Sequence, residues 1–219
     1  MGAVRCADES NLGRCVGRME SELMDHLLLG KALSDVLPAA AAVVEALKRT
    51  FSSGGVLYSL GNGGSAADAQ HFTGELIGHY KRKRRPLPAV TLSTDPTTMT
   101  CIGNDFGFAE IFARQVQALV RPGDVVAAFT TTGRSANVVA GLRAAQDKGA
   151  TTVLFGGADG GPSLVHADHA LLAPSEVTAR VQETHTLLLH LISEQLDSWA
   201  AATEAASRFP PPDPEEGPR

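Results

Sequence analysis

The sequence predicts an α/β fold: a three-layer sandwich with a five-stranded parallel sheet and two extra N-terminal helices. Short apolar runs, each bounded by Gly, Pro, Asp or Ser, recur along the chain. These predicted strands are Val56–Leu60, Ala89–Leu92, Val125–Phe129, Thr152–Phe155 and Ala170–Leu172. Helical patterning separates the first four strands, over residues 65–80, 107–120 and 135–148. Buried strands that alternate with helices are typical of a parallel sheet covered on both faces.

Two helices are predicted before the first strand. From about residue 18 to 29, apolar residues such as Met19 and Leu23 recur at helical spacing, and a second helix is predicted from about 33 to 51. Pro38 lies early in the second helix, where its missing N–H costs least. The surplus apolar surface of both helices suggests a subunit interface, and packing on their own domain explains it equally well.

The chain is long enough for one substantial core, so we expect a single domain with appendages. Residues 1–17 show no periodicity and are predicted to be flexible. Residues 18–206 are predicted to form the domain, which ends in a long helix over about 178–206. The Pro-rich tail, residues 207–219, cannot build a core and is predicted to be disordered.

Composition limits the expected partners and compartment. The formal net charge is −5, whereas nucleic-acid-binding domains are usually basic, so we expect no nucleic-acid partner. The basic run of residues 81–85 has no interleaved aromatic residues and is predicted to be a solvated loop. We see neither a bilayer-spanning apolar run nor a secretion signal, and expect no membrane partner. Three scattered cysteines fit reduced thiols in a cytoplasmic protein.

A glycine-rich turn follows the first predicted strand and opens a helix. In Gly61-Asn-Gly-Gly-Ser65, glycines let backbone N–H groups approach an anion, and the helix N-terminus adds partial positive charge. We expect the Ser65 hydroxyl to cap the helix and face the anion. The turn also fits the dinucleotide fingerprint G-x-G-x-x-G/A, with Asp95 as the nearest acidic residue for a ribose. A phosphate site and a nucleotide site are therefore both open.

A second loop follows the strand predicted at residues 125–129. Thr130-Thr-Thr-Gly-Arg-Ser135 offers hydroxyl groups and the amides of a helix N-terminus. In open parallel sheets, ligands bind at the carboxyl ends of the strands. One hydroxyl-rich loop is usually capping chemistry, but two such loops after strands of the same sheet favour a phosphosugar site.

Two pairs of polar residues lie on predicted helices. His71 and Glu75 are one turn apart and share a face, which by itself indicates only an exposed polar pair. On the last helix, Gln182 and His190 share a broad face, about 80° apart, whereas His185 is rotated away. A lone histidine in an apolar helix is commonly a core residue. Two imidazoles, a carboxylate and an amide on facing helices would together suit a Zn²⁺ site.

Six motifs together carry a family resemblance. They are Gly61-Asn-Gly-Gly-Ser65, His71-Phe-x-x-Glu75, Gly103-Asn-Asp-Phe-Gly-Phe108, Thr130-x-x-Gly-x-Ser-Ala-Asn137, Asp159-Gly-Gly161 and Arg180-Val-Gln-Glu-x-His185-x4-His190. In these motifs the chain resembles the sedoheptulose 7-phosphate isomerases (phosphoheptose isomerases), members of the sugar isomerase (SIS) domain family. The resemblance runs from the N-terminal helices to about Leu196. The glycine and hydroxyl loops are common to SIS domains, and the His/Glu and Gln/His pairs are more specific.

The resemblance implies a flavodoxin-like sandwich, a homotetramer and one zinc ion per subunit, bound by His71, Glu75, Gln182 and His190. It implies the aldose–ketose isomerisation of sedoheptulose 7-phosphate to D-glycero-D-manno-heptose 7-phosphate through an enediol or enediolate, with Glu75 as base and His190 as acid. The implied substrate contacts are Asn62, Gly63, Gly64, Ser65, Glu75, Asn104, Asp105, Thr130, Thr131, Thr132, Ser135 and Gln182.

Two positions depart from the pattern common in that family. His79 stands where an arginine is usual, and Ala179 stands where an acidic residue is usual. An isomerase of another sugar phosphate is therefore an alternative. A non-catalytic SIS protein, which binds a replication initiator or senses a sugar phosphate, is a second alternative, and a nucleotide-dependent oxidoreductase is a third.

Overall fold

The computed structural model describes residues 3–208, and the side chains of residues 11–204 among them. Five strands form one parallel sheet in the order β2-β1-β3-β4-β5. The strands are β1 Leu57–Gly61, β2 Ala89–Thr91, β3 Val125–Phe129, β4 Thr151–Gly157 and β5 His169–Ala173. The predicted five-stranded parallel sheet is confirmed, and its strand order is the flavodoxin-like one.

Helices cover both faces of this sheet. They are α1 Ala3–Ala32, α2 Leu37–Ser52, α3 Gly64–Ile77, α4 Pro96–Phe106, α5 Ala113–Leu119, α6 Ala136–Asp147 and α7 Thr178–Arg208. Because side chains alternate along a strand, Phe129 and Phe155 join α2, α3 and α7 in one core, whereas Ala128 and Leu154 join α5 and α6 in the other. The predicted three-layer sandwich is therefore confirmed.

The N-terminus differs from the prediction of a flexible segment over residues 1–17. One helix, α1, runs from Ala3 to Ala32. The prediction relied on apolar periodicity, but a segment without proline can be helical without an apolar stripe. At the other end α7 continues to Arg208, and the rest of the tail predicted to be disordered lies outside the described residues.

The apolar surface of the two N-terminal helices has two different fates. The buried face of α2, which includes Val43, Leu47 and Phe51, packs in the domain's own core. On α1, by contrast, Met19 and Leu23 are both more than half exposed. Packing within the domain therefore accounts for the apolar face of α2. The exposed apolar side chains of α1 are available for the predicted subunit interface.

The expectation that no segment could span a bilayer needs correction. Judged by length and composition alone, the stretch Asn11–Ser52 contains one helix apolar enough to do so. The core helix of a soluble protein passes the same test, and part of this stretch is α2, which packs on the sheet. We therefore infer no membrane partner from it.

Helix α4 is missing from the sequence prediction. Asp95 caps it by accepting a hydrogen bond from the Thr97 N–H (2.9 Å), and Pro96 occupies its first turn. These start signals were present in the sequence. Only Ile102 of this helix is buried, however, so the apolar periodicity on which the prediction depended is absent.

Candidate active site

The two predicted ligand loops lie side by side at the carboxyl edge of the sheet. They follow β1 and β3, which pair directly although β2 comes between them in sequence. Ligands of open α/β sheets bind at such a switch point. Asn62 and Asn137 join the loops by two reciprocal amide hydrogen bonds of 2.9 and 2.8 Å. No role for Asn137 is predicted from the sequence, because its partner lies 75 residues away.

The glycine turn differs in one detail from the prediction. Helix α3 begins at Gly64, and Gly63, with φ of +55°, precedes it as the N-cap. Ser65 is therefore already inside the helix, where it is buried and makes no capping hydrogen bond. The predicted Ser65 cap is wrong, because a glycine with positive φ turns the chain into the helix.

The side chain of Gln182 on α7 lies against this turn. A Cβ atom added to Gly64 would lie 2.3 Å from Gln182 Nε2, so any larger residue here would displace the Gln182 amide. Gln182 thus lies beside the glycine turn, as a residue that contacts both a metal and a phosphosugar would need to.

The hydroxyl loop presents an open cavity of about 230 Å³. Its lining residues are Thr131, Thr132, Arg134, Gly157, Ala158, Asp159 and Glu176. The buried Thr130 hydroxyl accepts a hydrogen bond from the Gly133 N–H (3.1 Å), which shapes the loop. Ser135 is the N-cap of α6 but makes no side-chain capping bond there. A cavity lined by hydroxyl groups, backbone and the charged side chains of Arg134, Asp159 and Glu176 suits a polar ligand.

The backbone of the next loop supports the hydroxyl loop. Gly133 has φ of +64°, and a Cβ atom on it would lie 1.8 Å from the Gly160 carbonyl oxygen. The Gly133 carbonyl in turn accepts hydrogen bonds from the N–H and hydroxyl of Ser163 (3.0 and 2.8 Å). This close approach explains the glycine at position 133, and Gly161 is constrained from the other side, because a Cβ atom on it would lie 2.5 Å from the Thr132 carbonyl oxygen.

Three of the four predicted metal ligands converge. His71 Nε2 lies 3.2 Å from Glu75 Oε1 and 3.2 Å from His190 Nε2, and the three ligand atoms all lie within 4.8 Å of one another. Ligands about 2.0–2.1 Å from a tetrahedral zinc ion would be roughly 3.4 Å apart. Two imidazoles and a carboxylate at these distances therefore fit a zinc ion by donor chemistry and by spacing.

The surroundings of His190 favour its neutral form. Its pKa is lowered, first by burial and then by His71 and Lys81, against the opposing effect of Glu75. The Tyr80 ring stacks on the imidazole, with centroids 5.2 Å apart and an interplanar angle of 22°. A neutral imidazole has the lone pair that metal coordination requires.

Other predicted residues lie elsewhere. Asn104 and Asp105 are exposed in the last turns of α4, and the Asn104 amide donates to Asp105 (2.7 Å). No hydrogen bond among the described residues joins either one to the two loops. His185 is fully buried, with Nε2 3.2 Å from the Gly156 carbonyl oxygen, so it is a core histidine as its rotation on α7 indicated.

The nucleotide alternative requires Asp95 to bind a ribose, but Asp95 has another role in the structure. Both carboxylate oxygens of Asp95 are engaged at the start of α4, one by the Thr97 N–H and the other by the Thr98 hydroxyl. Hydrogen bonds from Thr98 and Thr97 lower the pKa of Asp95, as expected for a helix-capping carboxylate. The capping role at α4 therefore accounts for Asp95 without a ribose.

Comparison with known proteins places these features in context. The SIS domain family model matches residues 29–157. The chain is 48% identical to the phosphoheptose isomerase of Roseiflexus sp. (strain RS-1), over 72% of this chain and 80% of that protein. It is 42% identical to the phosphoheptose isomerase of Geotalea daltonii, over 83% of this chain and 95% of the relative. The solved structure of phosphoheptose isomerase GmhA from Neisseria gonorrhoeae superposes with a TM-score of 0.80 at 35% identity, covering 84% of this chain and 99% of that one.

Proposed function

This chain belongs to the phosphoheptose isomerase family of SIS-domain proteins and is an aldose–ketose isomerase of sugar phosphates, and from that premise we propose that it converts sedoheptulose 7-phosphate to D-glycero-D-manno-heptose 7-phosphate. The convergence of His71, Glu75 and His190 carries the proposal. His71 lies seven residues beyond Gly64, or about 10 Å along α3. This spacing leaves room for a phosphate at the loops and the reacting carbons at the cluster.

The proposed chemistry needs a base and an acid. The carbonyl moves from C2 to C1, so a base takes a proton from C1 and returns it to C2, while an acid exchanges protons with the oxygens. Glu75 is the proposed base, because it is the carboxylate of the cluster. His190 is the proposed acid, since its imidazole lies on the facing helix and, in the neutral form, the ring nitrogen that does not bind the metal carries a proton.

The same cluster is the proposed metal centre. His71, Glu75, Gln182 and His190 would hold one zinc ion per subunit, of which the His71, Glu75 and His190 donors already lie together. When bound, a zinc ion supplies Lewis-acid stabilisation of the negative charge on the enediolate oxygens. A carboxylate has two oxygens, so one oxygen of Glu75 can bind the metal while the other accepts the substrate proton.

The two loops are the proposed phosphosugar grip. Backbone amides of Gly63 and Gly64 at the start of α3 favour an anion, because they lie at a helix N-terminus. The Ser65 N–H already donates to the Asn62 carbonyl oxygen (3.0 Å), so the proposed Ser65 contact is through its hydroxyl group. The hydroxyls of Thr130, Thr131, Thr132 and Ser135 are proposed donors to the phosphate. The Asn62 side chain is already paired with Asn137, so we propose that Asn62 contacts substrate through its backbone. Asn104 and Asp105 are proposed substrate contacts on the family resemblance alone.

The assembly is proposed to be a homotetramer, and its location the cytoplasm. Exposed apolar side chains on α1, including Met19 and Leu23, support self-association, because packing against a second apolar surface would remove them from water. The family resemblance supplies the tetrameric number.

Turnover of sedoheptulose 7-phosphate by the purified protein tests the proposed function. We expect heptose 7-phosphate to form, chelation to abolish turnover, and zinc to restore it, because the cation stabilises the enediolate. A panel of other ketose phosphates run in parallel should be converted more slowly. Binding without turnover would instead support a non-catalytic SIS protein, and faster conversion of another ketose phosphate would reassign the substrate.

The replacement His190→Ala tests the metal centre independently of turnover. We expect the variant to lose most of its zinc after gel filtration, because one of the converging donors is gone. The matched control is His166→Ala, since His166 bonds only Gln146 at the surface among the described residues (2.8 Å). Zinc content measured by mass spectrometry should stay at the wild-type value in the control. An unchanged value in His190→Ala would remove His190 from the ligand set.

A further inference from the structure

A buried ion pair joins the loop that follows α3 to helix α7, and α3 and α7 are the two helices that carry the proposed catalytic cluster. Arg84 Nε donates to Asp197 Oδ1 at 2.8 Å, and both side chains are 0% exposed. The basic run 81–85 is predicted from the sequence to be a solvated loop, and for Arg84 this is wrong. The reason is that its carboxylate partner is 113 residues away, on α7.

Asp197 holds the backbone of the loop that follows α3. Its carboxylate accepts hydrogen bonds from the N–H groups of Tyr80 (3.3 Å), Lys81 (2.6 Å) and Arg82 (2.8 Å). Burial raises the pKa of Asp197, but these three N–H groups and Arg84 outweigh it and leave the pKa below its usual value. The carboxylate is therefore ionised at neutral pH, with four donors around it.

Arg84 holds the end of helix α3. Its guanidinium donates to the carbonyl oxygens of Glu75 (2.8 Å) and Leu76 (2.7 Å), and also to those of Gly78 and Arg85. The last carbonyls of a helix have no partners within it, so a cation placed there fixes the terminal turn. One of the carbonyls fixed in this way belongs to the proposed base, Glu75.

The buried Arg84–Asp197 pair is also connected to His190. Asp197 binds the backbone of Tyr80, and the Tyr80 ring stacks on the His190 imidazole. Lys81 Nζ lies over the Tyr80 ring at 4.9 Å and pairs with Glu194 on α7, which holds the loop from a second side. One buried pair is thus joined to the backbone of Glu75 and, through Tyr80, to the ring of His190.

We propose that Asp197 and Arg84 are positioning residues of the isomerase, and that together they fix the Glu75 carboxylate relative to the His190 imidazole. The proposal rests on the proposed roles of Glu75 and His190. Burying two charges costs desolvation that apolar residues of similar size would avoid, so stability alone is a weak reason for the pair. Catalytic groups, in contrast, must be held within about 0.5 Å of their productive geometry.

The isosteric variant Asp197→Asn tests this role. Because its amide cannot accept all four hydrogen bonds, we expect the loop to loosen and kcat to fall about 10- to 100-fold, with KM little changed. Proton NMR of the metal-free protein gives a readout that does not depend on turnover. The His190 ring signals should lose the ring-current shift from Tyr80 and approach those of Tyr80→Leu. Hydrogen exchange at the amides of residues 80–82 should become faster.

The controls separate positioning from general destabilisation. Val116→Ala removes buried volume in the core on the opposite face of the sheet, so it should lower Tm while kcat stays at the wild-type value. Unchanged kcat and unchanged His190 signals in Asp197→Asn would overturn the proposal. If that variant fails to fold, Tyr80→Leu replaces it and should lower kcat in a folded protein, whereas Tyr80→Phe, which keeps the ring, should recover most of the loss. A Tyr80→Leu variant with wild-type kcat would equally overturn the proposal.

Failure of the proposed function would look different. If the wild-type protein does not convert sedoheptulose 7-phosphate, the substrate assignment falls. The His190 signals and the amide exchange of metal-free wild-type and Asp197→Asn proteins still decide whether the buried pair positions the cluster.

Discussion

Replacing Glu75 with glutamine is expected to lower kcat by at least about 100-fold while the protein folds normally. The side chain is 19% exposed and lies 3.2 Å from His71 Nε2, so an amide of the same shape can occupy its place. An amide cannot take a proton from carbon at neutral pH. Circular dichroism and thermal unfolding check the fold, and the rate of heptose phosphate formation checks the loss.

Loss of metal could imitate loss of the base, so two measurements accompany the rate. Zinc content is determined in the same sample, and turnover is measured with zinc in excess. Deuterium uptake from D₂O into the sugar reports proton abstraction directly, and we expect it to fall with kcat. Glu45→Gln is the matched control, since Glu45 lies on α2 and pairs only with Lys48 among the described residues. Turnover at the wild-type rate in Glu75→Gln would remove Glu75 as the base.

The sheet could be predicted from the sequence because its strands are short apolar runs with clear ends. β3 occupies the predicted residues Val125–Phe129, since all five of its side chains are buried. Helix α4 was missed for the converse reason, as Ile102 is its only buried residue. Sequence patterns report burial, so elements that bury little are hard to find by that route.

Sequence patterns indicate the residues of the site more reliably than the contacts between them. His71 and His190 were assigned to facing helices, and their Nε2 atoms lie 3.2 Å apart. The Asn62–Asn137 bonds join residues 75 positions apart, and no local pattern indicates them. The Ser65 cap was wrong for a local reason: helix preferences favour a hydroxyl at the N-cap, but they do not reveal that Gly63 takes φ of +55°.

Replacing Gly133 with alanine is expected to lower the free energy of unfolding by about 2–5 kcal/mol. An L-residue is strained at φ of +64°, and the new Cβ would lie 1.8 Å from the Gly160 carbonyl oxygen. The two loops must then separate. Gly17→Ala is the matched control, because a Cβ there has nothing within 4 Å and the residue lies in α1, where alanine favours the helix. Chemical denaturation of both variants gives the comparison, and wild-type stability in Gly133→Ala would contradict the close approach.

The kinetic effect of Gly133→Ala should be the reverse of that of Glu75→Gln. Gly133 lies in the loop proposed to hold the phosphate, and its N–H donates to the Thr130 hydroxyl, so the variant should mainly raise KM for the sugar phosphate. Of the substrate's atoms, Glu75 acts only on the reacting carbons in the proposed mechanism, so its loss should mainly lower kcat. If Gly133→Ala lowered kcat at unchanged KM, the hydroxyl loop would have to act on the reacting carbons, and the assignment of phosphate to loop and carbons to cluster would fail.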